Sequence, residues 1–547
     1  MAHYGIDLGT THSAVAVIDA AGPAVIVPNG AGHPTTPSAL LFESATDVVV
    51  GRPAARAAAA EPEHVALDVK RSMGDALYPR PLRGRRHSPV MLSAMILKKI
   101  ARDAAERVGP PEGVVVTVPA YFNEARRQAT AAACTTAGLP LVDIINEPTA
   151  AALAYAYERL LENNAAPAAR AADAALFRPR TLVVYDLGGG TFDVSVLRCE
   201  GHELRVLATA GDVHLGGRDW DARVADHLAE LFADVHGVDP RDDDAAHRAL
   251  LDTAETLKHE LSTRTRARYT LHHAGHRFGG ELTRAEMEDL TADLLFRTSS
   301  RLTRALAEAG VAWDEIDEVL AVGGSTRMPA VIQMLADASG QTIGRPLSPD
   351  TAVAQGAAVH AAVCAARGKR GASPEPGSPP GVTPVPIDTD TGLRGRLGRL
   401  ARQLRLIRTV NVSAHTLGVV VQGKNGQPRV RPMLPRGSAL PCDAERTFGT
   451  QKHHQRRVTV QIVEGESTEP EHAYPLGTCH ITDLPESLPL GSPVEVRFHY
   501  DHSGRLSVKA LHVTSGRWAQ TVIERLNGID PQQIAADHAL LAGITLS

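Results

Sequence analysis

At 547 residues the chain is too long for one hydrophobic core and implies roughly two to four domains. Hydrophobic residues make up 43% and charged residues 22%, as in a water-soluble globular protein, and a net charge of −5 gives no footprint for nucleic acid or a membrane surface. Five dispersed cysteines (Cys134, Cys199, Cys364, Cys442, Cys479) without a C-x-x-C pair exclude a disulfide framework or zinc ribbon and fit a reducing compartment.

The first residues enter a strand directly, without the charged and apolar regions of a signal peptide, so a cytoplasmic location is expected. "YGIDLGTTHSAVAVI" (4–18) is an apolar strand, an Asp, a glycine, threonines and a second apolar strand. A strand, turn and helix follow in "GVVVTVPAYFNEARRQATAAACTTAG" (113–138), then an Asn-capped, Ala-rich helix in "INEPTAAALAYAYERL" (145–160). The order then repeats. "VVYDLGGGTFDVSVL" (183–197) is a second acidic hairpin, "EVLAVGGSTRMPAVIQMLADASG" (318–340) a second strand and helix, and "LSPDTAVAQGAAVHAAVCAA" (347–366) a second helix with an Ala/Gly face. A duplication of this kind predicts two similar α/β lobes facing each other, and small residues at helical spacing predict helices that cross closely at a hinge.

The predicted organisation is lobe I over 1–160, an Ala-rich insertion over 161–180, lobe II over 181–367, and a linker over 368–409. The linker is Pro/Gly-rich and then basic, "LRGRLGRLARQLRLIRT" (393–409), which could bind an acidic partner but reads better as a solvated helix. Alternating short strands over 410–515 predict an antiparallel β domain, and 516–547 a short helical tail.

Backbone N–H groups can wrap a phosphate only where no Cβ intervenes, which Gly9, Gly188, Gly189 and Gly190 allow, and Thr10, Thr11 and Thr191 add hydroxyl donors. Asp7 and Asp186 end their strands, so two carboxylates converge on the cleft, an arrangement suited to Mg²⁺ held through its waters. Either hairpin alone could be an ordinary glycine turn; two in register within a duplicated frame argue for polyphosphate.

"GIDLGTTHS", "VTVPAYFNEARRQAT", "IINEPTAAALAY", "YDLGGGTFDVS", "HLGGRDWD" and "VGGSTRMP", in that order, closely resemble the seventy-kilodalton heat-shock chaperone family. The resemblance implies a duplicated actin-like (ribonuclease H-like) two-lobed ATPase, followed by a β-sandwich substrate-binding domain over 410–515. It implies ATP/ADP and Mg²⁺ as ligands, leaves K⁺ open as a further ion, and assigns residues to roles. Lys70, in "DVKRSMGD", would orient the attacking water and hold the γ-phosphate; Glu147 would position the water or metal shell; Asp7 and Asp186 would hold the metal's waters; Thr191 would touch the γ-phosphate. The resemblance also places His12, Gly216 and Gly217 among the nucleotide-binding residues. In "AETLKHELS", Glu255 and Lys258 would reach the ribose, with His259 and Ser262 beside them, although Glu255 and Lys258 could equally be an exposed helix pairing. Gly323, Gly324, Ser325, Arg327 and Asp350 would cover the other side of the nucleoside. His259 stands where the family usually stacks an arginine on adenine, which implies weaker ATP binding. Pro119 and Arg127 match a switch proline and a relay arginine, though Pro119 could equally be a strand-ending proline.

Three departures bear on partners. The family's acidic, leucine-rich linker is replaced by the Pro-rich and basic stretch. Asp143 stands where bacterial members carry an arginine that meets J-domain co-chaperones, which argues against a conventional J-protein. In the β domain Val419, Val421, Phe448, Val458 and Val460 offer an apolar peptide pocket or plain sandwich core, Gln422 and Gln451 replace small apolar residues of the peptide arch, and too little chain remains for a helical lid. The expectation is an ATP-hydrolysing chaperone with unfolded-polypeptide clients, a nucleotide-exchange factor as a further partner, and no nucleic-acid or membrane role. The alternative is a nucleotide-binding scaffold without a client cycle. A small-molecule kinase lacks a motif for its catalytic base, and a filament-forming actin-like protein would leave the β domain unexplained.

Overall fold

A computed structural model describes residues 2–165, 177–344, 347–368, 404–423, 426–501, 506–523 and 531–547. Two sheets of the same design carry the first two-thirds of the chain. In the first, the spatial order is Ala24–Val27, His12–Ile18, Ala2–Asp7, Pro111–Val118, Leu141–Asn146. The first three strands run antiparallel, and the last two run parallel to Ala2–Asp7. In the second, Glu203–Asp212, Phe192–Gly201 and Phe177–Leu187 run antiparallel, with Glu318–Val322 parallel beside Phe177–Leu187. Central strands covered on both faces read as continuous apolar runs: Val114–Val116 and Leu182–Tyr185 have no solvent exposure.

The two Ala-rich helices exchange lobes. Glu147–Ala165 follows the first sheet but packs on Leu182, Val184 and Leu197 of the second. Ala352–Gly368 follows the second sheet but packs on Ala14 and Ala16 of the first through Ala354 and Ala358. They cross where Gly356 meets Ala150: a Cβ on Gly356 would lie 1.7 Å from the Ala150 carbonyl oxygen. A Cβ on Gly5 would lie 2.0 Å from the Ala358 nitrogen, so helix and sheet approach as closely as helix and helix. The small residues are there because nothing larger fits.

Each lobe also carries an outer subdomain. In lobe I the strands Leu40–Phe42, Asp47–Val50 and Val65–Ala66 lead to a short helical turn, Val69–Ser72, which presents Lys70. In lobe II the helices Gly217–His236 and Asp244–Leu261 pack with the hairpin Arg266–His273/His276–Thr283 around a separate core. The second of these helices presents Glu255, Lys258 and His259.

The β domain is a sandwich of two four-stranded sheets. One has the order Pro428–Leu434, Leu417–Gln422, Val458–Glu464, Tyr474–Ile481; the other Cys442–Gly449, Pro493–Tyr500, Leu506–His512, Trp518–Ile523. The strand Trp518–Ile523 corrects the expected boundary at 515, because it pairs with Leu506–Leu511 and completes the second sheet. Most of the Ala-rich insertion (166–176) and the Pro-rich linker to residue 403 lie outside the described residues. Of the basic segment, the end is not a solvated helix: Leu404 and Ile407 are buried, and Arg408–Val410 adds a parallel strand to the edge of the lobe II sheet beside Glu203–Arg205.

The tail forms the expected helix, Pro531–Ala542, and then an unanticipated strand, Thr545–Leu546, that pairs in parallel with Asp47–Val48 of lobe I. Leu541 and Leu546 enter the lobe I core; Lys98 and Arg102 donate to the carbonyls of Leu541 and Leu546 at 3.1 and 2.7 Å, and a His538 ring nitrogen lies 2.9 Å from the Thr136 carbonyl. No helix among the described residues is long and apolar enough to cross a membrane.

The close crossing sets a test. Gly356→Ala should lower the free energy of unfolding by about 3 kcal/mol or more, since backbone atoms rather than a flexible side-chain tip must yield. Denaturant titration measures it, and a change below about 1 kcal/mol would contradict the crossing geometry.

Candidate active site

The two acidic hairpins meet tip to tip. A Cβ on Gly189 would sit 2.4 Å from Thr11 Cγ2, and one on Gly190 the same distance from Thr10 Cγ2. Gly216 backs Gly190 so closely that its Cβ would lie 2.5 Å from the Gly190 nitrogen, and Gly217 abuts Ser325. Around this seam opens a cleft of about 800 Å³. It is lined by Asp7, Gly9, Thr10, Thr11, His12, Lys70, Glu147, Asp186, Gly188, Gly189 and Thr191 at one end. At the other end stand Glu255, Lys258, His259, Ser262, Gly323, Gly324, Ser325, Arg327 and Asp350. Of the expected ligand-side residues, Gly190, Gly216 and Gly217 stand behind this lining and let the loops pack.

On the cleft floor the Lys70 ammonium donates to a Glu147 carboxylate oxygen, both side chains being almost wholly buried. Glu147 opens its helix, so the backbone amides of the first turn favour its charge. Burial alone would lower the Lys70 ammonium, but Glu147 and Asp7 hold it above its ordinary value. Asp7 accepts from Thr117 Oγ1 at 3.0 Å, yet burial and the nearby Glu147 push it up to about 6. Asp186 is pushed well above the carboxylate range by burial and then by Glu147. Asp193, paired across the hairpin from Asp186, is raised to about 7 by burial and Glu147, while accepting the Tyr121 N–H at 2.9 Å.

Four carboxylates thus gather round one ammonium, and three of them resist ionising. A pocket of this charge fits a divalent cation between Asp7 and Asp186, whose charge would let both acids ionise. The glycine seam, where any Cβ would collide, fits phosphate oxygens above it.

The nucleoside end differs from expectation in one pairing. Lys258 does not extend freely: its Nζ donates to the Gly217 carbonyl at 3.0 Å and lies 2.6 Å from buried Asp221. Glu255 faces Arg218 at 3.5 Å, and Arg218 also reaches Asp68 of lobe I at 3.2 Å, which ties the outer subdomains across the cleft mouth. Arg218 and Asp221 line the cleft and were not singled out from the sequence, although both lie within "HLGGRDWD". Arg327 and Asp350 pair at 2.5 Å on the rim, and Ser325 Oγ donates to the Gly188 carbonyl at 2.9 Å.

Pro119 and Arg127 lie outside the cleft, on the face where lobe I meets the β domain. The Phe122 N–H donates to the Pro119 carbonyl at 3.2 Å, and the half-buried Arg127 donates to Asn146, the residue before Glu147. A small crevice there is lined by Phe122, Arg127 and Asn146 from lobe I and by Asn411, Glu464 and Tyr500 from across the interface. Glu464 accepts the Glu124 N–H at 3.1 Å, and Tyr500 donates to Glu124 at 3.2 Å. From lobe II, the Thr209 carbonyl and Glu308 hold Arg436, whose guanidinium lies over the Tyr121 ring.

The five apolar residues left between peptide pocket and plain core divide. Val419 and Val460 are buried in the sandwich core with Ile462 and Phe498, where alternation points them inward; Val421, Phe448 and Val458 are partly buried at its margin. Gln422 and Gln451 are exposed.

Duplicated sheets, lobe-swapped helices, an acid-and-glycine cleft and a trailing β-sandwich define a two-lobed actin-like nucleotide-binding protein with an appended β domain. The family model described as "Hsp70 protein" matches residues 3–82, 79–371 and 402–538. The chain is 36% identical over 538 residues to the chaperone protein DnaK of Halobacterium salinarum, covering 97% of this chain and 76% of that one. It is 36% identical over 527 residues to DnaK of Thermosipho africanus (95% and 79% covered), and 34% identical over 539 residues to DnaK of Thermotoga neapolitana (97% and 81%). The chain belongs to the Hsp70 family.

The interface carries a pH test. Burial pushes Glu464 up to about 8, with Arg127 opposing and Glu466 adding to the rise, whereas a glutamate in water titrates near about 4.3. The docked arrangement therefore holds the proton more tightly. Docking is undiminished below the free value, weakens as pH rises past it, and has lost the whole contribution above about 8. Once divided by the intrinsic base-catalysed rate, which rises with pH on its own, amide exchange of residues 411–416 should still accelerate over this range, by at most about tenfold per pH unit for one proton, and Glu464→Gln should flatten that corrected response. An unchanged profile in that variant would exclude Glu464 as the titrating group.

Proposed function

We propose that the chain hydrolyses ATP between its lobes and uses the nucleotide state to control binding of extended polypeptide by the β-sandwich, in the manner of the Hsp70-type chaperones it resembles. The observation that carries this is the Lys70–Glu147 pair on the cleft floor between Asp7 and Asp186. The seam amides and Thr10, Thr11 and Thr191 would grip the phosphates. Lys70 orients a water in line with the γ-phosphorus. As water oxygen bonds to phosphorus, the bond to the bridging oxygen breaks with its electron pair staying on ADP, the water's proton passes to a phosphoryl oxygen, and ADP and phosphate leave. Glu147 fixes the Lys70 ammonium so that it does not swing to the phosphate alone. Mg²⁺, when bound through water to Asp7 and Asp186, supplies charge neutralisation at the phosphates. Such a site works by positioning and electrostatics, with no covalent intermediate.

Coupling is proposed to run from Glu147 through Asn146 and Arg127 to Glu464, a contiguous series of neighbours from the cleft floor to the β domain. The clients follow from the relatives' printed name, chaperone protein DnaK. Asp143 is occupied by His360 at 2.8 Å, which further argues against capture of a conventional J-protein there. A second reading, a nucleotide-gated scaffold without a client cycle, is favoured by the burial of Val419 and Val460, which leaves less apolar surface for peptide.

Single-turnover ATP hydrolysis by the full chain decides between them. Lys70→Ala should lower the rate by roughly 10²–10³-fold while nucleotide still binds. An unfolded peptide should raise the rate of the unaltered chain. Hydrolysis indifferent to peptide would select the scaffold reading, and hydrolysis indifferent to Lys70→Ala would remove the proposed mechanism.

A further inference from the structure

Asp143 ends up in an environment that its role in the strand Leu141–Asn146 does not require. Facing it, from the lobe-swapped helix Ala352–Gly368, are His360 and Cys364. Residues four apart stand one above the other on a helix face, so both can address one point. A ring nitrogen of His360, the Cys364 sulfur and an Asp143 carboxylate oxygen all lie within 4.8 Å of one another. His360 Nε2 is 2.8 Å from Asp143, the His360 side chain is only 9% exposed, and Cys364 is its second side-chain partner. Cys364 is a free thiol at intermediate exposure, and Asp143 is 29% exposed, so the cluster is open to solvent on one side.

We propose that Asp143, His360 and Cys364 bind one zinc-class divalent cation, with water completing a four-coordinate shell. What points to a metal is the donor set itself, an imidazole, a thiol and a carboxylate whose ligand atoms gather within 4.8 Å of one another. The donor set selects the metal: thiolate with imidazole and carboxylate suits Zn²⁺, and a thiolate disfavours Mg²⁺ or Ca²⁺. Drawing three donors now within 4.8 Å onto a metal at about 2.0–2.3 Å needs only side-chain adjustment. The site is separate from the nucleotide cleft, and none of its three residues lines that cleft. Its consequence follows from the two elements it joins. One is the strand that leads into Asn146 and Glu147; the other is the helix that closes lobe II on the lobe I sheet and leads toward the linker. A bound cation would pin that helix to the lobe I sheet and stiffen the hinge between the lobes.

The test uses the full chain, reduced, nucleotide-free and stripped of metal with a chelator, titrated with Co²⁺ as the optical probe. We expect one equivalent to produce a sulfur-to-cobalt charge-transfer band with tetrahedral visible bands, displaced by Zn²⁺ and lost in Cys364→Ser. Co²⁺ captured by the carboxylates of the nucleotide cleft has no sulfur donor and gives no such band, so failure of the nucleotide reading and failure of this one are distinguishable. In parallel, Zn²⁺ should slow alkylation of Cys364 by iodoacetamide, read by peptide mapping of the unaltered chain, and Asp143→Asn should remove that protection. Absence of the sulfur band, its persistence in Cys364→Ser, or alkylation of Cys364 at the same rate with and without Zn²⁺ would each overturn the proposal.

Discussion

The architecture depends on one steric constraint, the contact between two helix backbones at Gly356 and Ala150. Because each lobe's second helix leaves its own sheet to cover the other's, neither lobe has a complete core without its partner. The crossing is therefore a hinge that cannot come apart. Any change in the relative position of the lobes would have to respect this contact, where no side chain intervenes. Small-residue packing here sets function as much as stability.

A second, electrostatic constraint sits above the hinge. Asp7, Glu147, Asp186 and Asp193 are held together with a single ammonium, against their own solvation. Such a cluster is poorly compensated until positive charge and phosphate arrive together. Glu147 and Asp193 also connect to the β-domain face, Glu147 through its neighbour Asn146 to Arg127, and Asp193 through the Tyr121 amide. The acids of the cleft and the residues that touch the β domain thus stand only a few contacts apart.

Much of this is legible in the sequence because it is written in short, local rules. Strands ending in Asp-Leu-Gly and Ala-rich helices with a Pro near the start determine both lobes, and the two acids and the seam glycines fall where those rules put them. What escapes the sequence is pairing between distant residues. That Lys258 is held by Asp221 and the Gly217 carbonyl, or that Arg218 reaches Asp68 across the cleft mouth, depends on side-chain partners far apart in the chain, for which no spacing rule exists. Val419 and Val460 illustrate the same limit, since alternation says that they share a face but not whether that face is covered. The strand at Thr545–Leu546 was missed because two residues carry no periodicity at all.

That short strand changes how the β domain is attached. On its N-terminal side the chain is stitched to the edge of the lobe II sheet by Arg408–Val410; on its C-terminal side it is stitched to lobe I by Thr545–Leu546. Beyond its docked faces, the domain is consequently anchored through its flanking chain to both lobes. For a body fixed at both ends, letting go of one anchor leaves the other to keep the local concentration of the freed partner high, so release is brief and recapture is fast. Any rotation of the lobes alters the span between the two anchors, and the domain must either bend or drop one end. Under the proposed coupling, force as well as contact would carry the message between cleft and β domain.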